Sequence, residues 1–148
     1  MADHAHKQIR GALETALGGL TTSGARVYAN RLHPMDASSL PGLRIYAESE
    51  DAELLTIHTP HVQDRTLGVV VECCAKAALA TLDDTLDLMS KEVEIALASG
   101  ISVTGKTLYP LYRGMQMDLE PADLPVGIKR LRYGVTFETL NNAPDAFI

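Results

Sequence analysis

The stretch TLDDTLDLMSKEVEIALASG, residues 81–100, constrains the fold more than any other part of the chain. Leu82, Leu86, Met89, Val93, Ala96 and Leu97 recur at helical spacing, so the segment predicts an amphipathic helix whose apolar stripe needs a broad apolar surface to cover. Thr81 followed by Asp84 predicts a capping-box start, and Asp83 and Asp84 suit the positive end of a helix. Gly100 stands where a helix-terminating glycine belongs.

That surface is written elsewhere as alternation. In LRIYAESE, Leu43, Ile45 and Ala47 alternate with Arg44, Tyr46 and Glu48, the period of a strand with one covered face. DRTLGVVVECCAKA places Leu67, Val69, Val71, Cys73 and Ala75 on one face, and Val70 on the other predicts a central strand. LYRGMQMDLE alternates Leu111, Met115, Met117 and Leu119 against Gln116, Asp118 and Glu120. IKRLRYGVTFETL alternates Leu131, Tyr133, Val135 and Phe137 against Arg130, Arg132, Thr136 and Glu138, and PADLPVG between these two runs predicts an antiparallel hairpin with a long loop over residues 118–127.

A second helix is predicted in DHAHKQIRGALETALGGL, with Ile9, Leu13, Ala16, Leu17 and Leu20 on its core face, Asp3 as cap and Gly18-Gly19 as terminator. ARVYANRLHP reads as a strand ended by Pro34, MDASSLPG as a polar loop, and the mostly polar residues 48–64 as a projecting connection. Helix, strands, helix, strands is the order of an α+β fold: an antiparallel or mixed sheet with two helices packed on one face. At 148 residues the expectation is a single domain spanning 1–148, with residues 141–148 as an extended tail that lacks any period.

Composition narrows function. The formal charge of −6 argues against a general nucleic-acid binder, which needs basic surface to displace counterions. No apolar run approaches the roughly 20 residues that span a bilayer, and MADHAHKQIR lacks the apolar core of a secretory signal, so the expected setting is the cytoplasm. The adjacent Cys73 and Cys74 point to opposite faces of a strand and read as reduced thiols, one packed and one partly covered.

GISVTGKT, residues 100–107, matches the phosphate-loop pattern G-x-x-x-x-G-K-[ST]. Its flanks are wrong. A phosphate loop is fed by a strand and leaves into a helix whose N-terminus helps hold the anion, whereas here a helix precedes Gly100 and Pro110 plus an alternating run follow. The segment reads as a helix terminus followed by a Gly-Lys turn.

Other candidate chemistry is sparse. His58 and His61 lie in a Pro-containing segment, and His4 and His6 in the first turn of a helix, without a local third ligand. Ser38, Ser39, Asp36 and His33 have no G-x-S-x-G turn to present a nucleophile. The acidic runs ESEDAE and DLEPAD lack Ca²⁺-loop spacing and read as solvated loops. Arg130 and Arg132 share a strand face with Glu138, a charged face able to pair across subunits.

The order of segments resembles the tail terminator proteins of long-tailed bacteriophages, of the lambda type. The resemblance is carried by KQIRGALETALGGLTTSGARVYANRLHPMDASSLPGLRIYAESED, LDDTLDLMSKEVEIAL and PVGIKRLRYGVTFET, which together span nearly the whole chain. It implies a structural virion protein without enzymatic activity or cofactor. Such a protein forms a homohexameric ring at the head-proximal end of the tail, ends tube polymerisation and meets the head-side connector. The implied partners are other copies of the chain, the major tail tube protein and a neck protein, with DNA passing through the ring without specific binding. The implied location is the virion, after assembly in the host cytoplasm.

Loop placement nominates Glu48, Glu50, Asp51, Asp118, Glu120 and Asp123 as tube-facing or lumen-facing, and the shared strand face nominates Arg130 and Arg132 as interface residues. The competing readings are another neck or tail completion protein of similar fold, a small nucleotide-binding protein using Gly105, Lys106 and Thr107, and a small-molecule-binding α+β module.

Overall fold

Strand β3 (Val62–Lys76) lies at the centre of the sheet because it buries side chains on both faces where it is most deeply flanked: Leu67, Val69, Val71 and Cys73 on one side, and Val70, Glu72 and Cys74 on the other. The computed structural model describes residues 2–120 and 126–148. Antiparallel neighbours flank β3, with β2 (Gly42–Leu54) on one side and β7 (Val126–Leu140) on the other. β1 (Val27–Tyr28) adds in parallel to β2, and β6 (Leu111–Glu120) pairs antiparallel with β7. The sheet order is β1-β2-β3-β7-β6, and β8 (Ala143–Phe147) joins the end of β7. A separate hairpin of β4 (Ile101–Val103) and β5 (Lys106–Leu108) completes the strands.

Two helices, α1 (Ala5–Leu17) and α2 (Leu79–Ala98), cover one face, as the sequence predicts for an α+β fold. The α2 stripe of Leu82, Leu86, Met89, Val93 and Leu97 is buried against the inward residues of β3 and β7, including Val71, Leu131 and Val135. Ile9, Leu13 and Leu17 bring α1 into the same core. Burying one such side chain contributes about 1.5–3 kcal/mol, so these stripes hold the helices to the sheet. Gly127 lets α2 sit close, since a Cβ there would lie 2.7 Å from Leu86 Cδ1.

Several boundaries differ from the sequence reading. His4, not Asp3, caps α1: His4 Nδ1 accepts from the His6 N–H at 3.1 Å, while Asp3 pairs with Lys7 one turn on. Thr81 does not cap α2, which begins at Leu79; its hydroxyl donates back to the Ala78 carbonyl at 3.3 Å. The strand expected from ARVYANRLHP is only Val27–Tyr28, because β2 offers parallel partners only at Leu43 and Arg44.

Residues 48–64 form mostly strand rather than a projecting loop, since β2 and β3 stay paired as far as Leu54 and Gln63. β6 and β7 remain paired to Glu120 and Val126, which shortens the expected loop over 118–127. The C-terminal tail docks on its own sheet as β8, where Phe147 packs edge-on against Phe137. Cys74 is fully buried, not partly covered. Burial, with the neighbouring Cys74, pushes the Cys73 thiol up to about 12.

Candidate assembly surface

GISVTGKT is a hairpin. α2 ends before Gly100, whose φ of +86° follows the last helical turn as the terminator pattern expects. Thr104 and Gly105, at φ +47° and +82°, form the two-residue turn between β4 and β5; two successive positive φ values are the signature of a type I′ turn. Lys106 is exposed in β5, and a strand rather than a helix follows the turn. Asp36 accepts from the Ser38 backbone N–H and hydroxyl, and His33 stacks on Tyr28 while bonding Ser39 Oγ at 3.2 Å, so these residues organise a turn. Among the described residues no group of three or more His, Cys, Asp or Glu could hold a metal ion, and no helix is long and apolar enough to cross a membrane.

The surface that stands out lies at the two ends of the sheet. β6 is an edge strand, and Leu111, Tyr112, Met115, Met117 and Leu119 on it are between 38% and 64% exposed. Met115, Met117 and Leu119 share the helix-side face with their β7 partners Leu131, Lys129 and Gly127, but α2 does not extend over them. At the other end, the β2–β3 hairpin carries Leu54, Leu55 and Ile57 into solvent, Ile57 being 90% exposed.

Two β-bulges decide which charged side chains face where. The register of β2 slips between Ala47 and Ser49, so beyond it Glu50 turns to the helix side opposite Leu67. There Arg65 donates to Glu50 from Nε at 2.7 Å and Nη2 at 3.2 Å, and His6 Nε2 bonds the same carboxylate. Arg65 also donates to Thr139 Oγ1 at 3.2 Å and lies over the Phe137 ring. Burial alone would raise the Glu50 carboxyl; the bonds from Arg65 and His6 outweigh it and hold the group below its ordinary range.

The second bulge, between Tyr112 and Gly114, frees Arg113 from the pairing pattern. Its guanidinium lies on Gly134, where a Cβ would come within 2.5 Å of Nε. A cleft of about 260 Å³ there is lined by Glu48, Ser49, Gly68, Arg113, Arg132 and Tyr133.

On the sheet face away from the helices, Glu72 sits between its cross-strand neighbours Arg44 and Arg130. It is 2% exposed and accepts from Arg44 Nε and Arg130 Nε, each at 2.6 Å, and from the Tyr46 hydroxyl at 3.1 Å. Arg130 also donates to Asp118; that bond, acting against burial and seconded by Glu72, pushes its pKa up. Arg31 stacks over Tyr46, its guanidinium carbon 4.6 Å from the ring centre.

The nominated residues are thus dispersed over two strand ends and one sheet face. Glu48 and Asp51 are exposed, but in β2 rather than a loop, and Glu50 is turned inward. Asp118 is in β6, where it pairs with Arg130, and Glu120 is the last residue of that strand. Arg132 is exposed on β7. Asp123 lies outside the described residues. Sequence reasoning covered Glu53 and Asp64 only as part of the segment 48–64 and missed Arg113, although Gly114 and Gly134 inside strand patterns mark a bulge and a close approach.

No family model matches this sequence, and no curated protein matches it. A solved structure to which the chain is similar is described as the virion of a native gene transfer agent particle, at 20% identity over 90% of this chain and 92% of that one, with a TM-score of 0.44.

Proposed function

We propose that this chain is a structural assembly protein of a long-tailed phage particle, a tail terminator whose copies close into a homohexameric ring at the head-proximal end of the tail tube. In this role the ring stops tube polymerisation, offers its other side to the head-side connector and lets DNA pass without specific binding. The chain acts by shape and contact, with no reaction to catalyse and no cofactor to hold. The acidic composition suits a DNA conduit, because a like-charged wall avoids tight phosphate contacts.

The observation that carries the reading is the β6 edge. A ten-residue strand at the end of a sheet, with five half-exposed apolar side chains and an outer row of backbone donors and acceptors that no described strand pairs, is a surface that a protein covers with a partner. A ring of identical copies supplies that partner through a heterologous contact, two different patches on each copy meeting in sequence until the circle closes. The segment-order resemblance to tail terminators supports the same assignment.

The test is mass by light scattering behind size exclusion at several protein concentrations, followed by electron microscopy with tail tubes. A ring, or a cap at one end of the tubes, is expected. Protein that stays monomeric and ignores tubes would overturn the proposal.

A further inference from the structure

The sheet face away from the helices carries one anomaly. Glu53, Asp64 and Glu138 are direct cross-strand neighbours on β2, β3 and β7, three carboxylates side by side, and none has an ion-pair partner among the described residues. Like charges directly opposite one another destabilise a sheet, because the Cβ atoms of such pairs are only about 4.5–5.5 Å apart. Asp51 adds a fourth carboxylate two residues before Glu53 on the same face. Among the described residues no group of three or more His, Cys, Asp or Glu could hold a metal ion, these three included.

The counter-charge is present elsewhere in the chain, also unpaired. Arg113 and Arg132 line one cleft on the same sheet face, and neither makes an ion pair with a described residue. The placement is built. Gly134 leaves the space in which the Arg113 guanidinium lies, and Gly114, at φ +144°, allows the bulge that directs it there. Each charge cluster adjoins exposed apolar surface: the carboxylates lead to the hairpin tip with Leu54 and Ile57, and the arginines share their sheet face with exposed Leu111 of β6, whose Met115, Met117 and Leu119 lie on the other face of the same edge strand.

We propose that the β2–β3 hairpin of one copy docks on the β6 edge of the next, its carboxylate row meeting Arg113 and Arg132. The occupant of the β6 edge is therefore a second copy of this chain. Two complementary patches on one subunit make a head-to-tail contact, and that is the contact type a closed ring needs. The charges set the register and exclude wrong pairings, while the apolar flanks are removed from water. This inference rests on the ring reading and assigns its interface.

Charge reversal tests it. One variant carries Glu53→Lys with Asp64→Lys, a second Arg113→Glu with Arg132→Glu, and a third all four; far-UV circular dichroism verifies that each is folded. Each reversed pair alone is expected to weaken self-association at least about tenfold, read as mass against concentration. The four-substitution chain is expected to regain assembly, and an equimolar mixture of the two reversed proteins to assemble although neither does alone. Reversed variants that assemble as wild type does, or a four-substitution chain that fails to recover, overturn the docking while the ring reading stands. Wild-type protein that stays monomeric even with tubes overturns both.

Discussion

Replacing Glu72 by Ala should destabilise the fold by about 2–3 kcal/mol, and the structure sets that figure. The carboxylate is 2% exposed and neutralises Arg44 and Arg130 at 2.6 Å each while accepting from Tyr46. Breaking a buried ion pair by removing one member typically costs about 3–5 kcal/mol, because the surviving charge is left uncompensated. Two features lower the figure here. Arg130 keeps Asp118 and Arg44 keeps the His33 carbonyl at 3.0 Å, and the two arginine side chains, 27% and 18% exposed, can recover some hydration. Glu72→Gln preserves shape and hydrogen-bonding capacity but not charge, so about 1–2 kcal/mol is expected. Urea unfolding at pH 7 should show midpoints ordered wild type, Gln, Ala, with m unchanged because the same surface is exposed on unfolding. A Glu72→Ala protein within about 0.5 kcal/mol of wild type would refute the claim that this row anchors the sheet.

Gly100→Ala should cost about 2–4 kcal/mol, since φ is +86° and a Cβ would meet Thr107 Cγ2 at 2.7 Å and the Leu108 carbonyl oxygen at 3.0 Å, whereas Lys106→Ala should stay within about 0.5 kcal/mol. Thermal melting separates them: about 4–12 °C lower for the first and almost no change for the second. Glu50 sets an acid limb on stability. Its folded carboxyl titrates below the ordinary value of 4.5, so its contribution is complete above that value and disappears as pH falls through the lower folded one. Glu50→Gln should therefore lose stability at pH 7 and show a shallower decline between pH 5 and pH 2; parallel urea titrations with equal acid slopes would contradict this.

The features legible in the sequence are those whose side-chain period survives intact. The α2 stripe from Leu82 to Leu97 and the β7 alternation from Leu131 to Phe137 both face the core as their spacing predicts. The bulge around Ser49 broke the β2 period at the point where acidic residues with low strand propensity begin, so paired strand read as loop. Its continuation is imposed by β3, which presents backbone partners along its whole length. β8 is short and contains Pro144, leaving no pattern from which to foresee that it pairs with β7. For the candidate surface, the sequence offered the charged residues of these strands but not their pairings. Glu50 and Asp51 are adjacent in the chain, yet one is satisfied by Arg65 and the other faces out without an ion-pair partner among the described residues.

Two cross-strand rows on the same sheet face give that distinction its meaning. Arg44, Glu72 and Arg130 form a row of alternating sign, closed by hydrogen bonds and buried at its centre. Glu53, Asp64 and Glu138 occupy the same three strands farther toward the hairpin tip, all of one sign. The first row stabilises the subunit. The second does not, because adjacent carboxylates repel and no described residue gives them an ion-pair partner. A single Asp64→Lys would convert it into a row of alternating sign, the first row with its charges exchanged, by placing a cation between Glu53 and Glu138. By the same cross-strand reasoning, the isolated subunit would gain roughly 0.5–1 kcal/mol. The present sequence keeps the costlier arrangement at the end of the sheet where apolar Leu54 and Ile57 are also uncovered, and leaves Arg113 and Arg132, at the β6 end, without an ion pair among the described residues, on the face that carries exposed Leu111. Unfavourable charge and exposed apolar surface coincide at both ends, with opposite signs, so contact between the two ends relieves both.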